Sequence, residues 1–312
     1  MREFMIGEND ANQRVDKFIV KTMSTMPKSL MYKYIRNKKI KVNHKRCEIA
    51  QRLMVGDTMQ CYISDEFFEK QINWNFLKVP AALDIVYEDD HIILVNKPAG
   101  LLAHSDTSEV EDNLADRLLH YLYDQHTYDP AAALSFTPAL CHRIDRNTQG
   151  IVIAAKSAEA LRRMNEKIRN REIDKRYLCI VEGVVKKKQE HIILYHKKLE
   201  HNKASILPYP HEGYVEIETA YHVKEMKQQY SLVEVELLTG KSHQIRSVMA
   251  YLGHPLLGDV KYGAGKTLRN TQALCAYQVT FSFRDEDEIL QALQHKTFTL
   301  TAIDFLDDWK RL

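Results

Sequence analysis

Cys141-His-Arg-Ile-Asp-Arg-Asn-Thr-Gln-Gly150 runs directly into Ile151-Val-Ile-Ala-Ala-Lys-Ser157. One carboxylate, Asp145, stands between Arg143 and Arg146, with His142 close by. A turn-forming Asn-Thr-Gln-Gly follows, and then the apolar run Ile151 to Ala155 reads as a buried strand. An acid held among cations stays ionised well below neutral pH. That suits a nucleophile or an electrostatic stabiliser better than a proton donor. Taken alone, the same pattern also describes a salt-bridge cluster at a hairpin, since exposed ion pairs are common and worth little. The rest of the chain decides between the two.

Working outward, Leu83 to Tyr87 and Ile92 to Asn96 read as a hairpin turning at Glu88-Asp-Asp-His91, and Lys97-Pro-Ala-Gly100 ends its second strand. Residues 111–123 carry Leu114, Leu118, Leu119 and Leu122 at helical spacing, with acids near the start. After the Asp145 stretch, Ser157 is a natural cap for a helix that turns Leu161, Met164 and Ile168 inward. Lys175 to Val181 is a strand, and Val215–Lys224 and Tyr230–Leu238 form another hairpin. The basic stretch 186–212 resolves no further than short strands or loops. Strands outnumber helices without regular βαβ alternation. The expected fold class is therefore α+β, built on a mixed or antiparallel sheet with flanking helices.

Ahead of this body lies a small basic module. Residues 1–64 hold 13 Lys+Arg against 6 Asp+Glu, while the whole chain carries only +2. Concentrating charge in this way points to a polyanion such as nucleic acid. Arg14 to Val20 reads as a short helix with Val15, Phe18 and Ile19 on one side. Ser29 is the expected cap of a second helix, with Leu30, Met31, Tyr34 and Ile35 inward and Lys28, Lys33 and Arg36 outward. Lys39-Ile-Lys-Val-Asn43 alternates as a strand, and a turn at 52–57 feeds a last strand, Met59 to Ile63. Residues 65–80 turn acidic and aromatic and end at Pro80. The expected organisation is a module over 1–64, a linker over 65–80 and a body over 81–312.

Composition removes several classes. No uninterrupted apolar run approaches the roughly 20 residues of a membrane span, and the start MREFMIGEND has no signal-peptide core, so a cytoplasmic protein is expected. The five cysteines form no CxxC pair, and the histidines show no ligand spacing. Reduced thiols and no metal site are expected.

A third stretch, Leu238-Thr-Gly-Lys-Ser-His-Gln-Ile-Arg-Ser-Val-Met-Ala-Tyr-Leu-Gly253, is helical by the spacing of Ile245, Val248, Met249 and Leu252. Ser242 is its expected N-cap and Gly253 its stop. Lys241, His243 and Arg246 then gather at the end of the helix where the macrodipole disfavours cations. An anion should compensate, either a ligand phosphate or a carboxylate such as Asp145. Cations extending into water satisfy the pattern equally well.

Four segments now fall into line. YEDDHIILVNKPAG (87–100), HRIDRNTQGIVIAAKS (142–157), KRYLCIVEG (175–183) and LLTGKSHQIRSVMAYLGHPLLGDVKYG (237–263) resemble, in order and spacing, the motifs of the RluA-type pseudouridine synthases. The likeness spans roughly residues 80 to 285. The N-terminal R-V-D-K-F, S-x-x-Y-K-x-I-R, K-I-K-V-N and G-D resemble the RNA-binding domain first known from small-subunit ribosomal protein S-four.

The resemblance implies a reaction without cofactor or metal. A uridine in RNA is detached at its glycosidic nitrogen and rejoined through carbon 5. By position, Asp145 is the implied nucleophile, Arg246 its arginine partner and Tyr177 the ring placed against the target base. Leu274 is the implied apolar wall. Arg143 and His142 are expected to fill the gap left by the base or hold flanking phosphates, with Thr148, Lys241, His243 and Gln244 also at the RNA. Arg14, Lys28, Lys33, Arg36, Lys39 and Lys41 are the expected backbone contacts of the module. Two positions depart from the family, Gln149 where a small residue is usual and Lys241 where Arg is usual. Lys241 keeps the charge but loses bidentate recognition. Ribosomal RNA, of the large subunit, is the expected substrate, with transfer RNA the alternative, and the chain is expected to act as a monomer. A non-catalytic RNA-binding or ribosome-assembly factor on the same scaffold is the reading from another class. The joint presence of Asp145, Tyr177 and Arg246 counts against it.

Overall fold

The computed structural model describes residues 1–69, 72–105, 111–265 and 269–312. It opens with β1 (Arg2–Met5), α1 (Val15–Thr22), α2 (Lys28–Arg36), β2 (Ile40–Val42), β3 (Lys45–Arg46) and β4 (Thr58–Cys61). These strands form one antiparallel sheet in the order β1-β4-β2-β3. Val15, Phe18 and Ile19 of α1, Met31 and Ile35 of α2, and Ile40, Val42 and Met59 of the sheet share one core. The apolar spacing thus placed both helices correctly. Ser29 does not cap α2. Pro27 precedes the helix with φ −60° and takes the N–H groups of Leu30 and Met31 on its carbonyl, which starts the helix two residues earlier than expected. Residues 65–80 are tied down at both ends. Phe68 enters the core of the small sheet, and Phe76 is buried among the rings of Tyr123 and Tyr128.

The body follows as β5 (Ile85–Glu88), β6 (Ile92–Lys97), α3 (Leu114–Asp124), β7 (Ala139–Leu140), β8 (Gln149–Ala155), α4 (Ala158–Arg169), β9 (Ile173–Glu182), β10 (Gln189–Lys198), β11 (Ala204–Leu207), β12 (Val215–Lys227), β13 (Tyr230–Leu237), α5 (Gln244–Tyr251), β14 (Leu274–Phe281), β15 (Thr297–Thr299) and α6 (Leu306–Arg311). Its sheet runs β11-β10-β12-β13-β9-β14-β8-β6-β5, with β15 on β14 and β7 on β8. All pairings are antiparallel except β14 with β8. The sheet is therefore mixed and the class α+β, as expected.

Strand β8 explains its own sequence. All seven residues are buried. Val152 and Ala154 face one core with Leu114, Leu118 and Leu122 of α3, while Ile151, Ile153 and Ala155 face another with Met164 of α4. Covered on both faces, the strand has no polar alternation. Its entry is tight. A Cβ on Gly150 would lie 2.4 Å from the carbonyl oxygen of Ala276 on β14, so only glycine lets the parallel pair close. Ser157 caps α4 by accepting the N–H of Ala160 at 3.2 Å.

The stretch 186–212 is more ordered than expected. It holds the ten-residue β10 and its partner β11. Only Leu194 and His196 of β10 are fully buried, so the strand is set by its pairing with β12 rather than by an apolar alternation.

Candidate active site

Asp145 sits at the tip of the β7–β8 hairpin. The stem is closed by Leu140 opposite Ala154, by the Cys141 N–H on the Ile153 carbonyl (2.8 Å) and by the Ile153 N–H on His142 Nε2 (3.2 Å). The tip turns through the Thr148 N–H on the Asp145 carbonyl at 3.1 Å. A second loop braces it. The Lys97 ammonium, fully buried, donates to the carbonyls of Pro98 (2.8 Å), Leu101 (2.7 Å) and Arg146 (2.9 Å). Gly100 also donates its N–H to the Arg146 carbonyl at 2.9 Å. Three protons meet three carbonyls, which is the full donor capacity of a lysine. Burial pushes Lys97 down to about 7, against the pull of the Asp145 charge. Lys97 was not among the residues singled out from the sequence. Its signal was a lysine in Asn-Lys-Pro-Ala-Gly at a strand end, where the loop carbonyls need a donor.

The cation on Asp145 comes from α5. Arg246 Nη1 donates to Asp145 Oδ2 at 3.0 Å. Its other edge forks onto Asp259, Nε to Oδ2 at 2.6 Å and Nη2 to Oδ1 at 2.8 Å, where the Asp259 side chain is 1% exposed. Burial works against the guanidinium's charge, but hydrogen bonds and charge from Asp259, and then Asp145, raise it above its ordinary value. The compensating anion at the start of α5 is thus a carboxylate. The neighbours of Asp145 in sequence do not supply the pairing. Arg146 turns away to the Gly100 carbonyl at 3.0 Å, and Arg143 is exposed, with no ion pair among the described residues. At a hairpin tip adjacent side chains diverge, so the expected Arg143–Asp145–Arg146 cluster does not form.

His243 completes the contacts. Its Nε2 lies 3.7 Å from Asp145 Oδ2 and its Nδ1 lies 3.0 Å from the Tyr262 hydroxyl. Burial lowers its pKa, against the pull of Asp145 and aided by Arg246 and Lys261. His243, not Ser242, is the residue that precedes α5. It adopts the left-handed conformation, φ 57°, with no side-chain cap. Tyr177 on β9 is buried in the same core as Ile144, Ile245 and Leu274. Burial, and then the charge of Asp145, push its phenol well above the ordinary range, so it stays neutral. Leu274 lies across from Cys179, two residues along from Tyr177 on the same face.

A carboxylate held on one oxygen by an arginine, beside an aromatic ring and an apolar wall, can act as a nucleophile toward a flat base. Residues 91–251 match the family model described as RNA pseudouridylate synthase. The chain belongs to that family. It is 31% identical over 296 residues to an uncharacterized RNA pseudouridine synthase of Mycoplasma genitalium, covering 89% of this chain and 88% of that one. It is 32% identical over 265 residues to ribosomal large subunit pseudouridine synthase C of Escherichia coli, covering 83% and 78%. The structure of human RNA pseudouridylate synthase domain containing 4 superposes with a TM-score of 0.56 at 20% identity, over 72% of this chain and 90% of that one, which is a likeness of fold. The protein is an RNA pseudouridine synthase, an isomerase.

Several residues expected at the RNA of this synthase make hydrogen bonds within the fold. Thr148 is 2% exposed and its hydroxyl takes the buried amide of Gln272 at 3.3 Å. Gln244, also 2% exposed, spends its amide on the Glu218 carbonyl, Thr219 and Thr239 hydroxyls and the Lys241 N–H. His142 is neutral: burial, with Lys175 nearby, pushes it down to about 3, and its lone pair is taken by Ile153. Gln149 is buried and ties the C-terminal segment, donating to the Ala302 carbonyl (3.1 Å) and accepting the Asp304 N–H (3.0 Å). Lys241 is exposed near the start of α5.

In the N-terminal module, Lys28, Lys33, Arg36 and Lys39 are exposed. Lys41 is half-buried with its ammonium 5.3 Å from the Tyr62 ring centre, and Arg14 is forked onto Asp16. Cys141, beside the site, has a thiol that burial pushes up to about 12, which makes it a poor nucleophile at neutral pH. No three His, Cys, Asp or Glu side chains gather as a metal site among the described residues.

Proposed function

We propose that the protein isomerises uridine in ribosomal RNA of the large subunit with Asp145 as the nucleophile. The single observation that carries this reading is the 3.0 Å contact between Asp145 and Arg246, itself locked on the buried Asp259. The named Escherichia coli relative supports the substrate. The bond between N1 of the base and C1′ of the ribose breaks, the base turns, and a C5–C1′ bond forms. The proton on C5 leaves and N1 gains one, so no atom is gained or lost. Tyr177 stacks against the detached base, with Leu274 as its wall. The base must first leave its stack, at a cost of a few kcal/mol, and the free Arg143 is placed two residues from Asp145 to occupy the gap.

Residues 1–64 act as an S-four-like RNA-binding module whose exposed Lys28, Lys33, Arg36 and Lys39 meet phosphates. Residues 65–80 join it to a catalytic domain over 81–312. The enzyme works as a cytoplasmic monomer.

The test pairs Asp145→Asn with a map of pseudouridine in ribosomal and transfer RNA from cells with and without the protein. The reading expects an inactive variant that still binds RNA within a few fold, and one or more pseudouridines missing from large-subunit RNA. An active Asp145→Asn enzyme sinks the mechanism, and a loss confined to transfer RNA sinks the substrate.

A further inference from the structure

The segment Gly258-Asp-Val-Lys-Tyr-Gly263 supplies more than Asp259. Gly258 has φ +78°, and a Cβ there would lie 2.4 Å from the Thr271 carbonyl oxygen. The chain can pass this close to its neighbour only as glycine. It then turns through Val260–Tyr262 and delivers the Tyr262 ring beneath Arg246, with the guanidinium carbon 5.1 Å from the ring centre. The Tyr262 oxygen accepts the N–H of Ala204 on β11 at 2.8 Å. Its own proton then has His243 Nδ1, 3.0 Å away, as acceptor. A neutral imidazole that accepts on Nδ1 carries its proton on Nε2. That nitrogen faces Asp145 Oδ2, the oxygen already held by Arg246. Among the described residues no hydrogen bond reaches Asp145 Oδ1.

We propose that Tyr262 is a positioning residue for the isomerisation: it fixes His243 with Nε2–H toward Asp145 and braces Arg246, so that Oδ2 is held and Oδ1 is left to attack. The proposal rests on Asp145 being the nucleophile. It gives β11, in the stretch unassigned from sequence, a part in the site through the Ala204 N–H. The 3.7 Å gap between His243 and Asp145 is the kind that shortens when substrate fills a site.

Tyr262→Phe keeps the ring under Arg246 and removes only the hydroxyl. Its kcat should fall on the order of tenfold to a hundredfold, as expected when a reacting group drifts from alignment, with KM within about twofold. Selective ¹⁵N-histidine labelling, with His243→Gln identifying the resonance, should show His243 protonated on Nε2 in the wild type and a mixture of tautomers in Tyr262→Phe. His243→Gln, which can place an N–H near the Nε2 position, should retain at least about tenfold more activity than His243→Leu. Equal thermal midpoints exclude a folding effect. A Tyr262→Phe kcat within about twofold of wild type, or a wild-type His243 protonated on Nδ1, overturns the proposal. If Asp145→Asn is inactive while Tyr262→Phe is silent, only the positioning role fails; an active Asp145→Asn removes the nucleophile reading beneath it.

Discussion

The ammonium of Lys97 donates to the carbonyl oxygen of Arg146 at 2.9 Å, joining the end of β6 to the residue that follows Asp145. Its other two protons hold its own loop through Pro98 and Leu101. Lys97→Met keeps the length of the stem and removes all three donors. Charge-assisted hydrogen bonds are worth about 1.5–3 kcal/mol each, offset here by the burial cost of the charge. Urea unfolding of Lys97→Met should show a net loss of about 2–4 kcal/mol. Single-turnover kinetics should show at least a tenfold slower reaction, because the hairpin tip has lost its tie. Full activity at reduced stability would separate the clamp from the chemistry.

Arg246 serves two carboxylates, so its loss should be worse for the fold than the loss of both members of its buried pair. Arg246→Met strands Asp259, a side chain 1% exposed, without a partner. Breaking a buried pair in this way costs about 3–5 kcal/mol, whereas removing both charges is often close to neutral. Arg246→Met with Asp259→Asn should therefore recover most of the stability measured by denaturant unfolding. Activity should not return, because Asp145 still lacks its guanidinium.

How much of this was legible in the chain depends on how local the cause was. Ser157 caps α4 through its own neighbours, and the apolar run of β8 declares a strand buried on both faces. The partner of Asp145, 101 residues away, showed in the residues themselves only as a cluster of cations at a helix start that needed an anion, and it was the family resemblance that pointed to Arg246. Proximity in sequence misled at Arg143 and Arg146, whose side chains leave the hairpin tip in other directions. Thr148 and Gln244 carry polar groups inside functional motifs, and nothing in their spacing distinguishes an RNA contact from a buried amide that holds a loop. Strand β10 was hidden because its order comes from β12, and the αL turn at His243 because Ser242 is the better cap by residue type.

His142 should make stability fall with acid. Its ring stays neutral in the folded chain, pushed down to about 3 by burial and by Lys175, while in the unfolded chain it titrates near 6.5. Between these values the unfolded state binds one more proton, so stability rises with pH across this window. The contribution is fully present above about 6.5 and is lost progressively toward 3, at up to about 1.4 kcal/mol per pH unit. His142→Gln can offer an acceptor to the Ile153 N–H without titrating. Denaturant unfolding of both proteins from pH 7 to 4.5 should show a shallower decline in the variant; parallel curves would contradict the assignment.

The basic face of the small N-terminal module should set the salt dependence of binding. Lys28, Lys33, Arg36 and Lys39 are exposed on or beside α2, whereas Arg14 is occupied by Asp16 and Lys41 leans on Tyr62. Of the six cations expected at the RNA backbone, these four are therefore free to meet phosphate. Each phosphate neutralised contributes roughly 0.7–0.9 to the slope of log affinity against log salt. Replacing all four by Gln, a change confined to solvent-exposed positions, should flatten that slope by roughly 2–4 and weaken binding to a long ribosomal RNA fragment at low salt. The effect should shrink for a short oligonucleotide that reaches only Asp145 and its neighbours, because such a substrate leaves the module unused. A slope unchanged on the long fragment would mean that the charge of this face is spent on something other than RNA.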